Sequence, residues 1–168
     1  MLTYHEVDAE KTSAKVGETW QALWEFLESA DVVIRKAAVE SLDLVGQCFT
    51  PSLIQIAVKG EQKSILGKIV SQASKALESL AFASAIPDVL SVISSLLSNL
   101  RHREGPRGSP TAAEKLLLPL IVKIAELRVQ KNFDFKEAAD ATLSRAMGVL
   151  GPEVLLGVLP LNLDAADR

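Results

Sequence analysis

An internal repeat constrains the fold of this chain more than any other feature of its sequence. When Pro51 is set against Pro152, an offset of 101 residues, the segments around the two prolines align without a gap. Each copy reads as an acidic cap, a basic residue, two alanines, a leucine, a short turn, a proline and a short apolar helix. The positions that define the core of the repeat are Ala37, Ala38, Leu42, Pro51, Ala138, Ala139, Leu143 and Pro152. Any two amphipathic helices share some spacing, so the case for a repeat rests on agreement that continues through the turn.

Helical periodicity runs through most of the chain and predicts an all-α fold of about seven to eight helices. Leucine and alanine dominate and aromatics make up only 5% of the residues, which suits close helix packing and disfavours strands. The offset exceeds two helical-repeat units of about 40–47 residues. A long fourth helix from Ile65 to Leu80 and a loop at 101–110 can absorb the excess. We expect residues 1–168 to form one continuous stack of helix pairs.

Polar residues and prolines predict where the helices begin and end. Four residues can accept hydrogen bonds from the free backbone N–H groups of a first helical turn, namely Ser13, Asp31, Thr111 and Asp134. Pro51 and Pro152 suit first helical positions, whereas Pro119 falls inside an apolar pattern and predicts a kink or a restart. The stripe that is expected to be buried after Asp31 comprises Ile34, Ala37, Ala38, Leu42 and Val45.

Composition places few further limits on the function. The formal net charge of −3 argues neither for nor against a nucleic-acid partner. Cys48 is the only cysteine, which excludes an internal disulfide and favours a reducing compartment. Its position after a helix end predicts a buried or half-buried thiol. The longest apolar runs, such as Leu116–Leu118 with Leu120–Val122, are predicted to be too short to cross a membrane, and no basic-then-apolar leader opens the chain.

The sequence contains no pattern that indicates an enzyme, a cofactor or a small-molecule substrate. His5 and His102 lack cysteine or carboxylate neighbours at metal-ligand spacing. Glu137 and Asp140 share a helix face, which is more typical of a solvated surface than of acid–base catalysis. Trp20 and Trp24 lie on one apolar stripe, so we expect them in the core.

The segment 101–110, here called the arginine loop, is the strongest local candidate for a binding site. Arg101, Arg103 and Arg107 could contact RNA phosphates or a protein partner, because each charge attracts phosphate and releases counterions. The alternative is a flexible, solvated loop rich in Arg, Gly and Pro. Phosphorylation at Ser109-Pro110 would oppose contacts with phosphate.

Two stretches of the chain carry a resemblance to known proteins. Asp31-Val32-Val33-Ile34-Arg35-Lys36-Ala37-Ala38 resembles the second helix of a HEAT repeat, in which an Asp caps the helix. The residues Leu150-Gly151-Pro152-Glu153, followed by Leu159-Pro160-Leu161-Asn162-Leu163, resemble the ribosomal RNA-processing protein 12 family. Members of that family are long HEAT-repeat factors of the eukaryotic nucleolus. The resemblance therefore implies an α-α superhelix, a HEAT/armadillo-like solenoid, of which this chain is a fragment.

The resemblance also implies a function. It suggests a scaffold that acts in pre-rRNA processing and in the maturation and export of the small (40S) ribosomal subunit. Proteins and RNA of pre-ribosomal particles would be its partners, with the Ran GTPase as a further candidate. Its location would be the nucleolus and nucleus, with shuttling to the cytoplasm. The alternative is a HEAT-repeat adaptor for nuclear transport or signalling that has no link to ribosomes.

Overall fold

The computed structural model describes the backbone of residues 4–60, 64–103, 105–106 and 108–159, and the side chains from residue 11 onward within those ranges. These residues form eight α-helices and two 3-10 segments, without a β-strand, so the predicted all-α class is confirmed. The helices are α1 (Tyr4–Glu25), α2 (Val32–Gln47), α3 (Pro51–Val58), α4 (Ile65–Ala76), α5 (Ile86–Asn99), α6 (Ala112–Val129), α7 (Lys136–Leu150) and α8 (Pro152–Val158). The 3-10 segments are Phe26–Glu28 and Leu80–Ala85.

The helices form two rows. One row contains α1, α4 and α6, and the other contains α2, α5 and α7. In the first row the Gln72 side chain donates to Gln21 at 3.1 Å, and the Lys123 ammonium donates to the Ser74 hydroxyl at 2.9 Å. In the second row the Thr142 hydroxyl donates to the carbonyl of Leu90 at 3.2 Å. Each helix pair thus packs against the next pair, which is the arrangement of a helical solenoid.

Helix α5 lies at the centre of the stack and is buried along most of its length. It packs against α2 and α7 in its own row and against α4 and α6 in the other. Its fully buried side chains include Leu90, Ile93, Leu96 and Leu97. The stretch Leu80–Asn99 is 20 residues long and contains an 18-residue window with a mean hydropathy of 1.8, so by length and composition alone it could cross a membrane. The expectation that every apolar run is too short is therefore wrong, but the burial of this stretch is that of a core helix.

A nearly buried ion pair joins the beginnings of α2 and α5. The Arg35 Nε donates to Asp88 Oδ2 at 2.8 Å, and the side chains are 8% and 15% exposed. The Arg35 Nη1 also donates to the carbonyls of Ser29 and Ala30, at 2.7 and 3.2 Å. A single guanidinium therefore ties the α1–α2 turn to the next helix pair, and its buried donors are satisfied.

The other ends of α2 and α5 approach closely at a glycine. The Asn99 amide donates to Asp43 Oδ1 at 3.1 Å, beside Gly46. A Cβ at Gly46 would lie 2.5 Å from Asn99 Nδ2, which is too close for any other residue without a shift. Because contacts link start to start and end to end, α2 and α5 run parallel.

The predicted helix boundaries are partly confirmed. The Asp31 carboxylate accepts from Val33 N at 2.8 Å and the Thr111 hydroxyl from Glu114 N at 3.1 Å. Ser13 is wrong as a cap, because α1 begins at Tyr4, and Asp134 is wrong because α7 begins after Phe135 without a side-chain cap. A restart at Pro119 is also wrong, since α6 is continuous and this proline is exposed on its surface, and the alternative of a kink stays a prediction.

Several burial predictions need correction. The fourth helix ends at Ala76, and Leu80 begins a 3-10 segment with its side chain 93% exposed. Ile34 and Ala37 are exposed, because the face that α2 buries carries Arg35, Ala38 and Leu42. Cys48 is exposed, whereas a buried or half-buried thiol was expected. Trp20 and Trp24 are buried, as predicted.

The two copies of the predicted repeat are buried to different extents. Ala38, Leu42 and Ala139 are buried, and Ala138 and Leu143 are partly buried against the core. Pro51 and Pro152 occupy first helical positions, as expected, but both are exposed rather than part of the core. Helices α2 and α7 lie in the same row with α5 between them. The offset of 101 residues in the sequence therefore corresponds to two steps along that row. The exact two-copy register stays a prediction.

The C-terminal helix α8 packs mainly against α7. Leu155 is buried there, while Leu156 is 49% exposed. Leu161 and Leu163, which belong to the stretch that carries the family resemblance, lie outside the described residues.

An ion pair also links α6 to α7. The Arg128 Nε and Nη2 donate to the two carboxylate oxygens of Asp140 at 2.6 and 3.1 Å. The hydrogen bonds from Arg128, together with its charge, hold the pKa of Asp140 below the usual carboxyl value. Asp140 therefore has a structural partner and is not poised as a catalytic acid.

The repeat register predicts which alanines cannot accept a charge. Ala38→Asp and Ala139→Asp would each place an unpaired carboxylate in a helix–helix contact, and should lower the free energy of unfolding by about 3–5 kcal/mol. Ala37→Asp and Ala141→Asp change exposed neighbours on the same helices and should cost less than about 1 kcal/mol. Thermal and urea denaturation measure both effects. Wild-type melting temperatures for both buried variants would contradict the register.

The Arg128–Asp140 pair predicts a small pH effect in the acid range. Since the pKa of Asp140 is lowered in the folded state, the pair stabilises the fold above the usual value of 3.8 and loses its effect as the pH falls through the lowered pKa. Arg128→Gln should raise the Asp140 pKa and, because both side chains are nearly half exposed, cost less than about 1 kcal/mol. Carboxyl-carbon NMR titration measures the pKa, with Lys131→Gln as the control. An unchanged Asp140 pKa in Arg128→Gln would refute this role.

Candidate nucleic-acid interface

The first residues of the arginine loop are held by the helix that follows. The amide of Ala113 donates to the carbonyl of Leu100, and the amide of Ala112 donates to the carbonyl of His102, both at 2.8 Å. Arg103 and Thr111 pair as an isolated antiparallel bridge. Three N–H groups of the first turn of α6 are thus satisfied by the loop and by the Thr111 hydroxyl, and the backbone from 100 to 103 is fixed against that turn.

The described residues at the tip of the loop form a tight turn between Arg103 and Thr111, the two sides of this bridge. The Ser109 amide donates to the carbonyl of Pro106 at 3.1 Å. Gly105 and Gly108 have φ of +102° and +104°, a region that favours glycine. A Cβ at Gly105 would lie 2.9 Å from Ser109 Oγ, so the two sides of the turn lie against each other. The predicted flexibility of the loop stays a prediction, but its described residues form a defined turn.

The structure places two of the three predicted arginines. Arg101 and Arg103 are exposed, and among the described residues neither forms an ion pair with a carboxylate. Arg107 lies outside the described residues. His102 is exposed and contributes its carbonyl to the loop backbone.

Lys115 is a further cation that sequence reasoning missed. It is exposed on the first turn of α6 and lines a small recess together with His102 and Pro110. Residues of α3, including Ile54 and Val58, form the other wall of this recess. Lys115 lies four residues after the Thr111 cap, and this spacing places it about one helical turn from the cap and next to the loop. The spacing is the sequence signal that could have predicted its position. We call Arg101, Arg103 and Lys115 the basic edge.

A groove between α2, α5 and α7 is a second concave surface. Its volume is about 520 Å³, and α5 contributes Ser91, Ser94, Ser95, Ser98 and Asn99 to its lining. Arg145 of α7 and Asp43 of α2 flank it. The groove, here called the inner groove, is polar, but Thr142 and Asn99 already have hydrogen-bond partners within the fold. It therefore presents hydroxyl groups and one arginine, without an unsatisfied buried group that demands a ligand.

A larger groove of about 1000 Å³ separates α1 from α4. Trp20, Trp24 and Ile69 form its apolar base, with Glu25 and Lys75 among the charged residues at its rim. The indole N–H of Trp20 is buried and has no hydrogen-bond partner among the described residues. Helices of the first row are simply less closely packed here than those of the second row, where α5 fills the space.

The described residues contain no group of three or more His, Cys, Asp or Glu side chains that could hold a metal ion. Glu137 and Asp140 were the carboxylates considered for acid–base chemistry, and Asp140 is bound to Arg128.

Comparison with known proteins identifies the family. A family model described as ribosomal RNA-processing protein 12, HEAT repeats, matches residues 28–168. A curated protein of Schizosaccharomyces pombe that bears the name ribosomal RNA-processing protein 12 is 29% identical over 165 residues, which cover 98% of this chain. The chain spans about 13% of the length of that relative. No solved structure matches the chain significantly.

The family match agrees with the helical rows described above. It covers α2 to α8, so the elements that form the second row and the arginine loop all lie within it. The matched family is one of helical repeats in a processing factor and not one of enzymes, in agreement with the prediction of a non-catalytic chain. The chain belongs to the ribosomal RNA-processing protein 12 HEAT-repeat family.

Proposed function

We propose that this chain is a binding segment of a ribosome-biogenesis factor that acts in pre-rRNA processing and in maturation and export of the small ribosomal subunit. The family match over residues 28–168 is the observation that carries the proposal. The parent protein would be a much longer solenoid, because the matched relative is several times the length of this chain. Pre-ribosomal particles would be its partners, in the nucleolus and nucleus and during passage to the cytoplasm.

The architecture supports a scaffold role. A solenoid presents long surfaces on both rows and on both edges, so it can hold several proteins or RNA segments at once. The buried α5 packs against helices of both rows, and the Arg35–Asp88 pair holds α2 and α5 together within the second row, which keeps such surfaces in place. Modest contacts that are spread over a preformed surface bind without a large ordering cost.

We assign RNA contacts to the basic edge. Arg101 and Arg103 project from a backbone segment that α6 holds, and Lys115 lies on α6 itself. Three exposed cations, two on this backbone segment and one on the helix that holds it, suit the phosphate backbone, which is recognised through charge and not through base sequence. Their effect is local, because the chain as a whole carries a net charge of −3.

The Ran GTPase is a further proposed partner. It rests on the likeness of the family to nuclear transport receptors. An adaptor role in transport or signalling without any link to ribosomes is the alternative function, and the family match favours the ribosomal role over it.

Affinity capture separates the two functions. The tagged chain, produced in eukaryotic cells, should enrich precursors of the small-subunit rRNA over the tag alone. Precursors from both nuclear and cytoplasmic fractions would support a role in export. Enrichment of transport or signalling proteins without rRNA precursors would overturn the ribosomal function.

The basic edge predicts a specific salt dependence. Replacing Arg101, Arg103 and Lys115 with glutamine should weaken binding to single-stranded RNA. It should also reduce the slope of log K against log salt concentration by about 2, because each phosphate contact contributes roughly 0.7. Fluorescence anisotropy with a labelled RNA measures both quantities.

The matched control removes the same charge elsewhere. Glutamine at Lys36, Lys131 and Lys136 neutralises three exposed cations near the start of α2 and around the α6–α7 turn, away from the arginine loop. This variant should keep most of the slope. Equal slopes in wild-type chain and basic-edge variant would exclude the basic edge as the RNA site.

A further inference from the structure

Two prolines of the chain follow a hydroxyl residue, in Thr50-Pro51 and Ser109-Pro110. The Thr50 hydroxyl is engaged as the cap of α3, since it accepts from Leu53 N at 3.3 Å and lies 3.2 Å from Ser52 Oγ. The Ser109 hydroxyl forms no hydrogen bond with the described part of the chain, and Pro110 beside it is exposed. Of the two sites, Ser109 is the one that an enzyme can reach without breaking a helix cap.

The turn places Ser109 near the basic edge. Arg103 is directly opposite Thr111 in the antiparallel bridge, so Ser109, two residues before Thr111, is its diagonal neighbour. Diagonal neighbours across such a pair lie roughly 7–8 Å apart, within reach of a long side chain. The Ser109 side chain is half-buried, and its Oγ lies 2.9 Å from the position that a Cβ at Gly105 would take, so the hydroxyl can lie there only because residue 105 has no side chain.

We propose that Ser109 is a phosphorylation site for a proline-directed protein kinase, and that its phosphate pairs with Arg103 and withdraws the basic edge from RNA. The phosphorylation site rests on the Ser109-Pro110 sequence and its exposed proline, and the pairing with Arg103 rests on the geometry of the turn. The effect on RNA rests on the proposed function.

The modification is an ordinary phosphoryl transfer. Ser109 Oγ attacks the γ-phosphorus of a nucleoside triphosphate in the kinase and forms a new O–P bond. The bond between the γ-phosphorus and the bridging oxygen breaks, so a nucleoside diphosphate leaves. The hydroxyl proton passes to the catalytic carboxylate of the kinase.

The charge change is large relative to the basic edge. A phosphoserine adds about −1.5 to −2 charges near neutral pH and three strong acceptor oxygens. The basic edge has three cations, so a phosphate paired with Arg103 cancels about half or more of their charge. Pairing of an arginine fork with phosphate also occupies the donors that would otherwise contact RNA.

The test uses the purified full chain, a purified proline-directed serine/threonine kinase and magnesium ATP. Mass spectrometry should place the phosphate on Ser109 and not on Thr50. Phosphorus NMR should then show a second ionisation below the usual value of about 6, and Arg103→Gln should move it back while Lys131→Gln should not. The phosphorylated chain should bind single-stranded RNA on the order of tenfold more weakly at low salt.

The outcomes separate this inference from the proposed function. An unmodified Ser109, under conditions in which the kinase modifies a Ser-Pro peptide, would overturn the site. If Arg103→Gln leaves the second ionisation of the phosphate unchanged, the pairing with Arg103 is overturned. Unchanged RNA affinity after phosphorylation, with weaker binding by the basic-edge variant, would overturn only the regulation. If the unmodified chain does not bind RNA, the RNA function of the basic edge fails, whereas the NMR result still decides the pairing.

Discussion

The contact between Arg35 and Asp88 is the interaction on which the arrangement of the helix pairs depends. It joins the α1–α2 turn, the start of α2 and the start of α5 through one guanidinium that is almost buried. Such a group is tolerated because its Nε donates to a carboxylate and its Nη1 donates to two backbone carbonyls. Asn99 fixes the opposite ends of the same two helices beside Gly46. With α2 and α5 held at both ends, the apolar surface of α5 can be enclosed by its neighbours.

The packing that holds α5 also positions the basic edge. The arginine loop leaves the end of α5 and enters α6, and its backbone is paired with the first turn of α6. The position of Arg101 and Arg103 therefore depends on the same packing that holds α5. Cations on a preformed edge lose less conformational freedom on binding than cations in a disordered tail, which favours their use as contacts for phosphate.

The sequence predicted the class of the fold and most of its helices, because apolar spacing and capping chemistry are local. Asp31, Thr111 and Pro51 illustrate this, since their roles depend on residues only a few positions away. Partners distant in sequence were not predictable. Asp88 lies in the first turn of α5, and nothing local in the sequence shows that it meets Arg35. Ala37 and Ala38 are the same residue type at neighbouring positions, and only the placement of the neighbouring helices decides that Ala38 is the buried one.

The candidate site likewise contains residues that the sequence predicted and one that it did not. Its arginines were visible as a charge cluster in a segment without periodicity. Lys115 was hidden inside a helical pattern, and only the folded turn places it in one recess with His102 and Pro110 of the loop.

Ultraviolet cross-linking measures most directly whether this basic edge contacts RNA of small-subunit precursors. The tagged chain would be irradiated in cells, purified with its RNA, digested and mapped by mass spectrometry. The account predicts cross-linked peptides that contain Arg101 and Arg103 or Lys115, attached to precursor rRNA. Cross-links to precursor rRNA that are confined to the inner groove, on α5 and α7, would contradict it.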